Sequence, residues 1–268
     1  MSWADFLMVA AATFGAAALT MVVTTLAAIR RQRAAVVDVA WGLGFVLMAL
    51  GAAVLGSLTE GDWRRWLLLG LVTAWGARLA WHIRRQAVGK GEDPRYEELL
   101  GGTIDKVGVR HAVRKVFGIQ GAAMWFVSLP IVAGATQPTR WWGVVVAGAV
   151  LWAVGLLFEA VGDAQLAAYK QIPKEDRPPV MERGLWRYTR HPNYFGDACV
   201  WWGLWLAGGL ASGWVPGLVT LLCPMAMTYF LVHATGARLL EKTMMRRPGY
   251  PAYAARTSMF FPLPPRRA

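Results

Sequence analysis

The chain has 268 residues, 56% of them hydrophobic and 16% charged, with 15 tryptophans, a mean hydropathy of +0.37 and a formal net charge of +12. A soluble domain averages roughly 25% charged and 45–50% apolar residues, so this composition excludes an ordinary water-soluble fold and indicates an integral membrane protein. The positive charge does not indicate nucleic acid, because the basic residues lie between apolar runs rather than in a separate basic domain.

A bilayer-spanning helix needs about 20 apolar residues. Seven such runs are expected, at about 3–29, 36–57, 65–83, 116–136, 141–161, 193–211 and 214–234. The first lacks a small-residue cleavage site and is too long for a signal peptide, so it is read as retained. Arg30, Arg31 and Arg33 separate the first two runs, and the third ends in HIRRQ before a polar loop to Lys115. A second polar stretch runs from Asp163 to Arg190, and a basic tail follows the seventh run. Of the 28 Lys and Arg residues, 24 fall on the side of Arg30, against Arg64, Arg65 and Arg140 opposite, with Arg78 inside the third run. Positive residues collect on the cytoplasmic side. The expectation is an all-α integral membrane protein, a seven-transmembrane helix bundle with its N-terminus outside and its C-terminus in the cytosol. No repeat or linker divides 1–268, which reads as a single domain. Cys199 and Cys223 lie in apolar runs with no ligand spacing, so no metal site is expected.

Ionisable groups within spans cost roughly 2.5–3.5 kcal/mol each on insertion and commonly mark functional paths. Here they are Asp38, Arg78, His82, Glu159 and Asp197, with Asp163 and Arg190 at the rim, all in the cytoplasmic half of the expected bundle. Scattered charges would indicate packing or snorkelling; one cytosol-facing cluster indicates a polar cavity. Arg78 and His82, Glu159 and Asp163, and Asn193 and Asp197 are each four apart, so each pair shares a helix face. A buried ion pair of Arg78 with Asp38 or Asp197 is the structural alternative.

The stretch RHPNY, 190–194, opens the sixth run. Pro192 suits the first helical turn, where its missing N–H costs nothing, and His191 falls near the cap. The free amides at that helix start favour an anion. Arg187 and Arg190 stand just before it, with Arg183 and Lys170 further back. Several fixed cations beside a helix start suit a multiply charged ligand such as a dinucleotide pyrophosphate. The expected pocket gathers Asp163, Arg190, Asn193 and Asp197 and opens to the inner face.

GLWRYTRHPNYFGD at 184–197, FEAVGDAQLAAYK at 158–170 and RRPGYPAYAARTSMFFP at 246–262 resemble the bacterial DUF1295 family, as do VVDVAWGLGF at 36–45 and GEDPRYEEL at 91–99. That family resembles the C-terminal domain of steroid 5α-reductases. The resemblance implies a membrane reductase that holds NADPH in a cytosol-facing cavity built mostly by 116–268, with 1–115 on the substrate side. It implies cofactor-binding roles for Glu159 and Asp163, for Trp186 and Tyr188 of the Gly-Leu-aromatic-x-Tyr loop, and for His191, Asn193, Tyr194 and Asp197. It extends them to Arg238, Glu241, Tyr250 and Tyr253, and gives the phosphates to Lys170, Arg187, Arg190 and Arg238. Asp38 with His82 is the expected catalytic pair, matched to the reductases' second-helix acid by position alone. Their third-helix tyrosine has no counterpart, since Trp75, Trp81 and His82 occupy that region.

The implied reaction is hydride transfer to an activated C=C bond of a hydrophobic lipid, for example a 3-oxo-4-ene steroid, by a monomer or weak oligomer. RHPxY also occurs in S-adenosylmethionine-dependent methyltransferases of the isoprenylcysteine and phospholipid type. Those carry paired glutamates after the final helix, where this chain reads LLEKTMM with Glu241-Lys242. A non-enzymatic membrane lipid-binding protein is the third reading.

Overall fold

The computed structural model describes residues 2–234 and 236–266. Its long elements are α1 (Trp3–Arg31), α2 (Val36–Gly56), α3 (Arg64–Ala87), the short α4 (Pro94–Leu100), α5 (Gly118–Thr136), α6 (Trp142–Gln171), α7 (Pro192–Leu204), α8 (Trp214–Val219), α9 (Leu222–Tyr229), α10 (Ala237–Met244) and α11 (Tyr250–Arg256). Among the described residues there is no strand.

Among the described residues, five helical stretches are long and apolar enough to cross a membrane: Trp3–Arg31, Val36–Gly56, Val109–Thr136, Trp142–Gln171 and Trp214–Met244. At 1.5 Å per residue, the 29 residues of α1 reach about 43 Å. Two of the seven expected runs fall short of that standard. The third is the 24-residue helix α3, which is long enough but carries Arg64, Arg65, Arg78, His82, Arg84 and Arg85. The sixth is the 13-residue α7, which widens into a π-turn at Trp205–Gly209 and tightens into a 3₁₀ turn at Leu210–Ser212. It also carries Asn193 and Asp197.

The chain divides into two compact units, Met1–Trp142 with Ala207–Cys223 and Gly143–Leu206 with Pro224–Ala268. In the first, α2 packs against α1, α3 and α5, and α1 and α3 also meet α5. Gly44, Gly56 and Gly121 make these contacts possible, because a methyl group at Gly44 or Gly56 would strike Met124 or Ala135 and one at Gly121 would strike Met21. At one end the Ser2 amide donates to Gln137 Oε1 at 3.0 Å. There Arg64, expected as a loop cation, is fully buried. It donates to the carbonyls of Ala207 (3.1 Å) and Gln137 (2.9 Å) and to Ser212 Oγ (2.8 Å), satisfying backbone acceptors left over at helix ends. The same end carries Trp63 stacked on Trp142 at 5.0 Å and Trp141 edge-on to Trp214 at 5.3 Å. Such tryptophans form the aromatic belt of a membrane–water boundary.

In the second unit, α6 and α7 cross on glycines spaced by seven. Gly148, Gly155 and Gly162 line α6, and Gly196 and Gly203 line α7. A methyl group on Gly196 would lie 2.5 Å from the Gly155 carbonyl oxygen, and one on Gly203 would lie 2.6 Å from that of Gly148. Small residues let helix backbones approach where lipid removes any hydrophobic drive to associate. Gly196→Ala should therefore destabilise the detergent-purified protein by about 1–3 kcal/mol through overpacking. Gly51→Ala, where an added methyl meets nothing within 4 Å, should leave the melting temperature unchanged or raise it slightly.

Candidate functional site

The glycine crossing sets the register of the polar groups above it. On α6, Glu159 and Asp163 share one face and are 3% and 7% exposed. On α7, Pro192 takes the first helical position with His191 just before it. Asn193 Nδ2 then donates to Asp163 Oδ1 at 3.2 Å. Asp197, one turn further along, is also buried. Asp163 and Asn193 thus come together as the sequence predicts.

The loop from α6 to α7 is held by its own backbone chemistry. Gly184 has φ +60°, and a side chain there would overlap the Gln165 amide, so only glycine fits. Gln165 Oε1 accepts the Leu185 N–H at 3.0 Å. Trp186 Nε1 donates to the Gly162 carbonyl at 3.0 Å, and the Trp186 carbonyl accepts from the Tyr253 hydroxyl at 2.5 Å. Tyr188 is exposed, and its carbonyl accepts the Leu263 N–H at 3.0 Å.

Arg190 is the centre of this fastening. Its Nε and Nη2 donate to the Glu241 carboxylate at 2.6 and 2.9 Å, and Nη1 donates to the carbonyls of Ala254 (2.7 Å) and Thr257 (2.6 Å). His191 Nε2 donates to Glu241 Oε1 at 3.1 Å, and its ring stacks on Tyr194 with centroids 5.4 Å apart. The Tyr250 hydroxyl reaches the same Oε1 at 3.4 Å. Burial opposes the Arg190 charge, yet its hydrogen bonds and charge pairing with Glu241 hold its pKa above the ordinary arginine value. Four of the five guanidinium hydrogens are committed to internal acceptors. Arg190 is thus a clamp between loop and tail, and it also lines the cavity beside it with one guanidinium hydrogen left over.

Beside the clamp lies a cavity of about 430 Å³, within the 300–1,000 Å³ range of small-molecule sites. Lys170, Arg177, Arg190 and Arg247 line it together with Tyr169, Trp186, Tyr250 and Tyr253, and no lining residue is acidic. Arg177 is fixed by hydrogen bonds to the Lys170 and Ile172 carbonyls at 2.6 Å and lies 5.7 Å from the Tyr169 ring. Burial pushes the Tyr250 and Tyr253 phenols above their ordinary values, so both remain neutral donors. Sequence reasoning missed Arg177 and Arg247, although Arg247 lies in the quoted RRPGY stretch. Arg187 lines a different cavity, and Arg238 is exposed on α10 and lines neither.

In the first unit, Asp38 stands in the first turn of α2, with Tyr96 Oη donating to its Oδ1 at 2.5 Å and Arg95 3.4 Å from its Oδ2. Gln120 Nε2 donates to Tyr96 Oη at 3.2 Å. Burial, reinforced by the Asp38 charge and hydrogen bond, raises the Tyr96 pKa well above the ordinary phenol value. Glu92 accepts the amides of Ala34 and Ala35 at the start of α2. The GEDPRYEEL stretch therefore both caps α2 and delivers Tyr96 to Asp38. His82, the expected partner of Asp38, has Nε2 2.5 Å from Gln86 Nε2 one turn along α3.

Removing one partner of a buried ion pair costs about 3–5 kcal/mol. With Arg190 and Glu241 side chains only 11% and 13% exposed, Glu241→Ala should lower stability by about that much, read as a fall in melting temperature. Proteolysis near Arg256 should accelerate in parallel as the tail loses its anchor.

No curated protein and no solved structure matches the chain. The family described as "Protein of unknown function (DUF1295)" matches residues 9–257. With nearly the whole of its length matched, this membrane-type helical protein belongs to the DUF1295 family.

Proposed function

We propose that the protein is a membrane-embedded, NADPH-dependent reductase of an activated C=C bond in a hydrophobic lipid, a 3-oxo-4-ene steroid being one such substrate. The supporting observation is the cavity beside the Arg190–Glu241 clamp. Four cations, Lys170, Arg177, Arg190 and Arg247, line it, none of its lining residues is acidic, and aromatic rings form part of its walls. This suits a dinucleotide, whose phosphates need fixed positive charge and whose bases need flat apolar surfaces. Asp163 and Asn193, already hydrogen-bonded to each other, offer polar atoms to a ribose or carboxamide.

NADPH supplies a hydride to the β-carbon of the C=C bond. The proton that completes the reduction comes from the protein. Tyr96 joins Asp38 of the expected Asp38–His82 pair as the candidate donor: its raised pKa keeps it protonated, and Asp38 and Gln120 fix its hydroxyl. The single phenol hydrogen, held by Asp38 in this structure, would leave Asp38 Oδ1 and turn to the substrate oxygen when substrate binds. In this reading α3 and the segment from Pro192 form the third and sixth of seven crossings. The N-terminus lies outside and the C-terminus in the cytosol of a bacterial inner membrane, in keeping with the 24 basic residues on one side.

One observation favours a methyltransferase: Glu241, in the position of the methyltransferases' paired glutamates, grips Arg190 and His191 of RHPNY. Thermal-shift titration with NADPH, NADH and S-adenosylmethionine separates the readings, since a ligand bound only by the folded state raises the melting temperature with its affinity. NADPH should stabilise the protein and Lys170→Ala/Arg247→Ala should abolish that response. Stabilisation by S-adenosylmethionine alone would establish the transferase; silence to all three would leave a lipid-binding protein. Tyr96→Phe should lower kcat by roughly 10²-fold, the lower range for loss of a general acid, with the NADPH shift intact.

A further inference from the structure

We propose that a second cavity, of about 370 Å³, binds the phosphate-bearing headgroup of an anionic lipid. Arg183, Arg187 and Arg256 line it, and Glu182 is ion-paired to Arg256. Three guanidiniums against one carboxylate leave an excess of positive charge around one opening. The Arg266 N–H donates to the Arg256 carbonyl at 2.9 Å, which brings a fourth basic residue alongside. This cavity shares no lining residue with the one beside the Arg190 clamp.

Its position and its rim identify the source of the phosphate. Arg183 and Arg187 belong to the loop that follows α6, a helix long and apolar enough to span the bilayer, which in this proposal sets them near the boundary where that helix leaves the membrane. The tail beyond α11 is fastened to the same loop, with the Leu263 N–H on the Tyr188 carbonyl and the Thr189 hydroxyl donating to the Phe260 carbonyl at 2.9 Å. It presents Phe261 and Leu263 at 64% and 55% exposure. Arginines around a pocket, with exposed apolar side chains on the tail segment that supplies Pro265 to its lining, fit a headgroup above its acyl chains; a soluble phosphate has no use for those side chains. Guanidinium forks match phosphate oxygens bidentately. The general excess of basic residues on this side accounts for their side of the membrane but not for their convergence on one cavity.

The test uses purified full-length protein in neutral detergent, titrated by thermal shift with dihexanoyl-phosphatidylglycerol, dihexanoyl-phosphatidylcholine and glycerol 3-phosphate. Stabilisation by the phosphatidylglycerol alone is expected. R183A/R256A should weaken its binding by roughly thirtyfold, from the typical contribution of two basic side chains at a lipid surface, while R84A/R85A leaves it unchanged. R183Q, at an exposed residue, carries the test should the double variant fail to fold. An equal response to phosphatidylcholine, an equal response to glycerol 3-phosphate, or unaltered binding by the variants overturns the proposal. So does loss of the NADPH response together with the lipid response in R183A/R256A, because the cavity would then belong to the nucleotide.

Discussion

The Glu241 carboxylate lies in a largely buried place between the Arg190 guanidinium and the His191 ring, with the Tyr250 hydroxyl closing on the same oxygen. Burying such charges costs several kcal/mol per ion, and their mutual attraction offsets this only with good geometry and further hydrogen bonds. Here the further bonds come from the Ala254 and Thr257 carbonyls. An apolar replacement of equal volume would pack as well, but it would not fix where the loop meets the tail. The clamp specifies that meeting, and the cation-lined cavity beside it inherits its walls from both partners.

The glycine crossing does the corresponding work for the helices. With no hydrophobic drive between helices in lipid, close backbone contact supplies the attraction. Because Gly155 and Gly196 touch, the residues along the same helices are committed to their faces, and Asp163, about two turns beyond Gly155, meets Asn193, about one turn before Gly196, without any loop having to place them. A polar pair mounted on two rigid helices is held more precisely than one mounted on loops.

Much of this was legible in the chain and some was not, for definable reasons. Local rules found the helix start at Pro192 and the shared faces of Glu159 with Asp163 and of Asn193 with Asp197. Hydropathy found five helices long and apolar enough to span, while the third and sixth runs fall short of that standard. In α3 five arginines offset the apolar residues, and α7 changes helical type after Leu204. The pairings that matter most lie far apart in sequence: Arg190 with Glu241, 51 positions on, and Asp38 with Tyr96, 58 positions on. No periodicity reports such contacts. Arg64 looked like a boundary cation because its side chain finds neutral carbonyls rather than a charge, and backbone acceptors carry no sequence signature.

Every internal acceptor of the Arg190 side chain belongs to residues 241–257, and its backbone amide bonds to the Ser258 carbonyl. During synthesis, therefore, α6 and α7 exist before anything that can neutralise that guanidinium. The loop between them gains these acceptors only once residues 241–258 have left the ribosome. Maturation of this region is thus a late, post-insertion event, and a nascent chain halted before Glu241 would hold its membrane helices without the binding surface they were placed to support.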